Sequence, residues 1–189
     1  MKMDKISSVI RQVADEEILP RFRNLKEHEV RFKEPGEFVT EADIEAERSI
    51  SEKLLSLYPN SIVTGEEDIA KNPARLDELI KSDCGFLIDP IDGTNNFIKG
   101  DERFAIMIVA LQYGEAAASW IYVPAKNMFA VAEKGGGAFV NGQKITLKAP
   151  ITDISEMTGA AHITRMPKEL RVETATKLKA FRENRPAYC

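Results

Sequence analysis

Between residues 104 and 133 the sequence carries three β-rich runs, 104–111, 117–123 and 128–133, parted by Gln112-Tyr113-Gly114 and Pro124-Ala125-Lys126-Asn127. Runs bounded by turn residues in this way read as an antiparallel meander. A meander cannot bury its own apolar face, so it must pack against other elements. Two helical stripes precede it. Ile6, Val9, Ile10, Val13 and Ala14 recur at helical spacing and continue to Ile18 and Phe22 across Pro20, where a kink is expected. Thr40-Glu41-Ala42-Asp43 then has the form of a capping box before a second stripe of Ile44, Ile50, Leu54 and Leu57, which Pro59-Asn60 stops. Helices followed by a meander indicate an α+β layer arrangement.

Other elements fit around this frame. A short strand over 61–64 ends at Gly65, a second over 85–88 ends at Asp89, and a short helix over 74–81 lies between them. Gly135-Gly136-Gly137 gives a flexible bend, and Asn141-Gly142 between 138–140 and 144–146 signals a tight hairpin; neither needs a catalytic reading. After about Ala149-Pro150 the pattern changes to a loop, a short strand over 157–161 and a helix over 167–181. The expected division is therefore an α+β domain over 1–149 and the start of a second domain over 150–189. A length of 189 residues suits one domain plus part of another.

Charge and composition exclude several functions. A formal charge of -4 argues against a large electrostatic footprint for nucleic acid or anionic lipid, though it leaves room for a local basic patch. No apolar stretch is long enough to span a bilayer, and the N-terminus lacks the apolar core of a secretion signal, so a cytoplasmic location is expected. The cysteines, Cys84 and Cys189, and the histidines, His28 and His162, are scattered. That leaves little for a zinc site, whereas Asp and Glu are plentiful for an oxygen-preferring cation.

The block Asp89-Pro90-Ile91-Asp92-Gly93-Thr94 follows an apolar strand and precedes a helical start. Pro90 has a fixed φ and biases Asp89 away from helix, so a turn can aim Asp89 and Asp92 at one point while Gly93 admits close backbone approach. Two carboxylates and the Ile91 carbonyl are hard ligands of the kind magnesium prefers. The Gly93 and Thr94 amides would lie at a helix N-terminus, where a phosphate oxygen is favoured. An ordinary Asp-Pro and Asp-Gly turn explains the same residues. Gly65-Glu66-Glu67-Asp68 also follows a strand and can bring Glu66 to the same sheet edge, or can be a solvated loop. Thr40 and Asp43 can serve as a cap alone or orient Thr94 or a reacting water. A calcium loop of EF-hand type is excluded, because placing Gly93 at its sixth position puts Ile88, Pro90 and Lys99 where ligands are required. Neither a nucleotide P-loop nor a Gly-x-Ser-x-Gly elbow occurs.

Gly65-Glu66-Glu67 followed by the run from Asp89 to Phe97, DPIDGTNNF, resembles the inositol monophosphatase family, as do VTEAD ending at Asp43 and GGAFVNGQKI ending at Ile145. The resemblance implies a layered αβαβα sugar-phosphatase fold with a complete N-terminal domain, and a homodimer. It implies that Glu66, Asp89, the Ile91 carbonyl and Asp92 bind Mg²⁺ and that Gly93 and Thr94 receive the phosphate. Asp43 and Thr94 would activate water, with Glu66 counted among the catalytic residues. The substrate implied is a small phosphate monoester such as an inositol or sugar monophosphate. Relatives acting on histidinol phosphate, nucleotide bisphosphates or fructose bisphosphate, and a non-catalytic metal- and phosphate-binding protein, are the alternatives. Asn95-Asn96-Phe97 is more similar to the inositol branch. Two departures stand out. The family's third motif, Trp-Asp-x-Ala-Ala-Gly, is absent because Trp120 is followed by Ile121, so a longer chain is expected to supply the third metal-binding Asp. Asp101-Glu102-Arg103 is polar where relatives have an apolar, Pro-containing segment.

Overall fold

In the computed structural model, residues 2–34, 37–161 and 166–186 are described. Helix α1, Met3–Val13, buries Ile6, Ile10 and Val13 on one stripe. It widens into a π segment, Ala14–Ile18, with the Leu19 amide donating to the Ala14 carbonyl. The expected kinked helix does not run on to Phe22. Pro20 has no N–H to continue the ladder, and the chain leaves it through turns in which Arg21 and Phe22 donate to Ile18. Phe22 still reaches the core, stacking on Phe97 and packing at a tilt against Phe104, with ring centroids 5.6 and 4.9 Å away.

Strands β1, Val30–Glu34, and β2, Glu37–Thr40, form an antiparallel hairpin. Helix α2, Glu41–Leu57, follows with Thr40 as its N-cap, and its stripe buries Ala42, Asp43, Ala46, Glu47, Ile50 and Leu54. Next come β3, Ile62–Gly65; α3, Glu66–Lys71; α4, Ala74–Lys81; β4, Cys84–Asp92; and α5, Thr94–Ile98. The meander is β5, Ala105–Gln112; β6, Glu115–Val123; β7, Met128–Glu133; β8, Gly137–Val140; and β9, Gln143–Lys144. Strands β3 to β9 make one seven-stranded sheet in sequence order. Its β3–β4 pair is parallel and every other pair antiparallel. Asn141 and Gly142 turn the last hairpin with φ of 47° and 78°, the left-handed values that a two-residue turn requires.

Register explains the core. Ile88 lies opposite Ile108, which lies opposite Trp120; Phe86 meets Ala110, and Ile106 meets Tyr122. These alternate residues share one sheet face and are all buried, in one cluster with Ile6 and Ile10 of α1 and Ile50 and Leu54 of α2. The α+β class read from the sequence is thus borne out. The chain divides into two compact units, Met1–Ile145, which holds all of the above, and Thr146–Cys189. The second unit contains β10, Thr158–Ala161; α6, Lys168–Leu178; and β11, Glu183–Pro186, with β10 and β11 parallel. Its strand and helix lie where the sequence predicts them, while His162 and Cys189 fall outside the described residues.

Ile50 is fully buried where α2 meets the sheet. Ile50→Ala is expected to lower stability by about 2–5 kcal/mol, read as a lower urea midpoint with an unchanged slope.

Candidate functional site

Parallel pairing sets Gly65 of β3 against Ile88 of β4, so Glu66 and Asp89 are the next residues on neighbouring strands at one sheet edge. The expected stop of the strand at Asp89 does not occur. Strand β4 continues to Asp92 through a bulge in which Pro90 and Ile91 face the single Ile106 of β5. Pro90 cannot donate to the ladder, and a bulge accommodates it while re-aiming the flanking side chains. Gly93 then takes φ 89° at the start of α5. A Cβ there would lie 2.8 Å from the Arg103 carbonyl, so both conformation and space require glycine.

Thr40, Asp43 and Thr94 come together. The Thr40 amide and hydroxyl donate to Asp43 Oδ2 at 2.8 and 2.5 Å, and the Asp43 amide donates back to Thr40 Oγ1 at 3.4 Å. Thr94 Oγ1 lies 3.2 Å from Asp43 Oδ1 and 3.0 Å from the Ile91 carbonyl, both acceptors for its one hydrogen. Burial raises the Asp43 pKa to about 6, against the lowering effect of the bonds from Thr40 and Thr94. Asp89 is raised to about 7, first by burial and then by the negative charges of Glu66, Asp92 and Asp43, while the Ile91 amide donates to it and opposes the shift. Its Oδ1 is buried and has no hydrogen-bond partner. Glu66 and Asp92 are exposed.

Three residues that sequence reasoning did not single out complete the surroundings. Lys33 of β1 donates to Glu66 Oε1 at 3.1 Å and to Glu67 Oε1 at 2.9 Å. Burial acts to lower the Lys33 pKa, yet the bonds to Glu67 and Glu66 hold it above the ordinary range. Glu67 is buried beside it. Glu47 of α2 accepts from the Glu67 and Asp68 amides at 2.9 and 3.1 Å. The available signal was an acid at Glu47 inside the apolar stripe of α2, four residues after Asp43. On the polar segment flagged above, Arg103 pairs with Asp101, whose pKa it pulls down to about 2, and Glu102 pairs with Arg23 at 3.3 Å.

Among the described residues, no three His, Cys, Asp or Glu side chains are gathered closely enough to hold a metal ion unaided. Glu66 is paired with Lys33 at 3.1 Å. The donors nonetheless suit a hard divalent cation. All are oxygens, Asp89 Oδ1 is an orphaned buried acceptor, and three neighbouring carboxylates act on it. A cavity of about 460 Å³ beside α1 and β7 is lined by none of these acids.

The sequence model described as the inositol monophosphatase family matches residues 2–187. The chain is 34% identical over 149 residues to an inositol-1-monophosphatase of Rhizobium meliloti (strain 1021), an alignment covering 76% of this chain and 53% of the relative. It is 34% identical over 143 residues to a fructose-1,6-bisphosphatase/inositol-1-monophosphatase of Thermotoga maritima, with 71% and 52% covered. Among solved structures, a Thermotoga maritima IMPase superposes with a TM-score of 0.79 at 27% identity, covering 98% of this chain and 67% of that one. The chain thus spans about half the length of the curated relatives it matches.

Burial holds Asp89 protonated in the folded state up to about pH 7, whereas the ordinary value is 3.8. Its contribution favours the fold below about pH 4 and is lost as pH rises through 7. Asp89→Asn cannot ionise. In excess chelator, the melting temperature of the parent relative to Asp89→Asn is expected to fall between about pH 4 and pH 7 and then level off. A difference that does not vary with pH contradicts this reading.

Proposed function

The chain belongs to the inositol monophosphatase family, and on that premise we propose that it carries the metal- and phosphate-binding part of a magnesium-dependent phosphate monoesterase. The supporting observation is Asp89 Oδ1, a buried acceptor without a partner amid the charges of Glu66, Asp92 and Asp43. In this reading Glu66, Asp89, Asp92 and the Ile91 carbonyl hold Mg²⁺. When bound, the ion supplies Lewis acidity, lowering the pKa of water and neutralising charge on the phosphate.

The chain's own groups do the rest. Gly93 and Thr94 receive the phosphate at the start of α5, with Gly93 turned by its positive φ. Thr94 Oγ1, with its hydrogen on Asp43 Oδ1, keeps lone pairs with which to accept a proton from the attacking water. As that O–H bond forms, the Thr94 hydrogen passes to Asp43 Oδ1, for which a pKa of about 6 is well matched near neutral pH. Thr40 keeps Asp43 in place through Oδ2, leaving Oδ1 for Thr94. We take the substrate to be an inositol or sugar monophosphate, since Asn95-Asn96-Phe97 is similar to the inositol branch and a relative is named as acting on both fructose 1,6-bisphosphate and inositol 1-monophosphate.

The complete natural protein is expected to release phosphate from members of a monophosphate panel only when Mg²⁺ is present. Asp92→Asn is expected to lose on the order of a hundredfold or more in rate. Equal turnover in excess chelator rejects the proposal, and binding of Mg²⁺ and phosphate without turnover assigns a binding role instead.

A further inference from the structure

Glu66 is the first residue of α3, a helix of six residues whose N-cap, Gly65, has no side chain with which to cap it. The start of that helix is held from another element. Glu47 on α2 spans two successive amides, with Oε2 accepting from Glu67 and Oε1 from Asp68. A carboxylate at a helix N-terminus satisfies donors that otherwise lack a partner and is favoured by the helix dipole. Gly65 makes this possible, since a Cβ there would lie 2.2 Å from Glu47 Oε2. A cavity of about 370 Å³ borders Glu47, Gly65, Glu67 and Asp68, so side-chain packing does not fix the turn on that side. Beyond it, Thr64 Oγ1 and Arg75 Nε each donate to Asp68 Oδ2 at 2.9 Å. These bonds hold the Asp68 side chain and leave the backbone at Glu67 to Glu47.

We propose that Glu47 is a positioning residue for Glu66: by clamping the Glu67 and Asp68 amides it fixes where α3 begins, and so where the Glu66 carboxylate meets Asp89 and a divalent cation. The proposal rests on the reading of Glu66 as a metal ligand. Asp43 and Glu47 lie four residues apart on the buried face of α2. One rigid helix therefore sets both the proton-holding carboxylate and the turn that carries Glu66.

The test uses the complete natural protein, with amide exchange by NMR and Mg²⁺ titration by calorimetry. In the chelated parent, the Glu67 and Asp68 amides should exchange slowly. In Glu47→Gln, which keeps one acceptor, and Glu47→Ala, which keeps none, protection should fall in that order. The Kd for Mg²⁺ should rise roughly tenfold or more, as for other groups that orient metal ligands. Gly65→Ala displaces the same carboxylate without altering charge and should reproduce the loss, which keeps the test decisive if the Glu47 variants do not fold. Ile50→Ala on the same helix serves as the control, lowering stability while leaving the Kd in place. Unprotected amides in the parent overturn the proposal, as does a Glu47→Gln protein that binds Mg²⁺ like the parent. A parent that binds no Mg²⁺ while both amides stay protected removes the ligand reading of Glu66 and this role with it. Mg²⁺ binding indifferent to Glu47 removes this role alone.

Discussion

The parallel register of β3 and β4 is the constraint from which the site follows, because setting Gly65 against Ile88 delivers Glu66 and Asp89 side by side where the strands leave the core. The register is anchored well away from the acids. Ile88 is buried against Ile108, and Phe86 against Ala110, so slipping the strand by one residue would turn these apolar side chains out of the core. Packing thereby holds together charges that would otherwise separate.

Each acid has a different means of tolerating that proximity. Asp43 is bonded by Thr40 and Thr94, Glu47 by two helix amides, Glu67 by Lys33, and Asp68 by Thr64 and Arg75. Hydrogen bonds to a charged group contribute roughly 1.5–3 kcal/mol, whereas a buried charge left unpaired costs several. Asp89 differs from the others. It has the Ile91 amide, but one buried oxygen has no partner, and its pKa rises to about 7. The same desolvation that penalises its charge makes it the place where added positive charge would be most favourable.

Local chemistry was the part of this chain legible in the sequence. The stripe of Ile6 and Ile10, the capping box of Thr40 and Asp43, the Asn141-Gly142 turn and the three runs of the meander each depend on residues within a turn or a strand of one another, and each forms as expected. Where local signals conflict, the reading went astray. Pro90 suggests the end of a strand, yet β4 absorbs it in a bulge. Glu66-Glu67-Asp68, legible as an acidic segment that is either a solvated loop or a source of ligands, begins α3, where Glu47 accepts from the Glu67 amide. The β1–β2 hairpin escaped notice, although Pro35-Gly36 stands between alternating residues on both sides. At the site, Asp43 and Thr94 do meet, but Lys33 and Glu47 act on partners 20 to 34 residues away, and no periodicity encodes such pairs.

The order of strands in the sheet bears on how the molecule comes into being. From β4 onward each strand pairs with its neighbour in sequence, so hairpin can be added to hairpin with short loops to close. The contacts that make the site are of another kind. Parallel pairing of β3 with β4 must wait for α3 and α4 to cross between them, and Thr94 reaches Asp43 across 51 residues. The scaffold's contacts are thus local in sequence, whereas those that gather the acids close long stretches of chain.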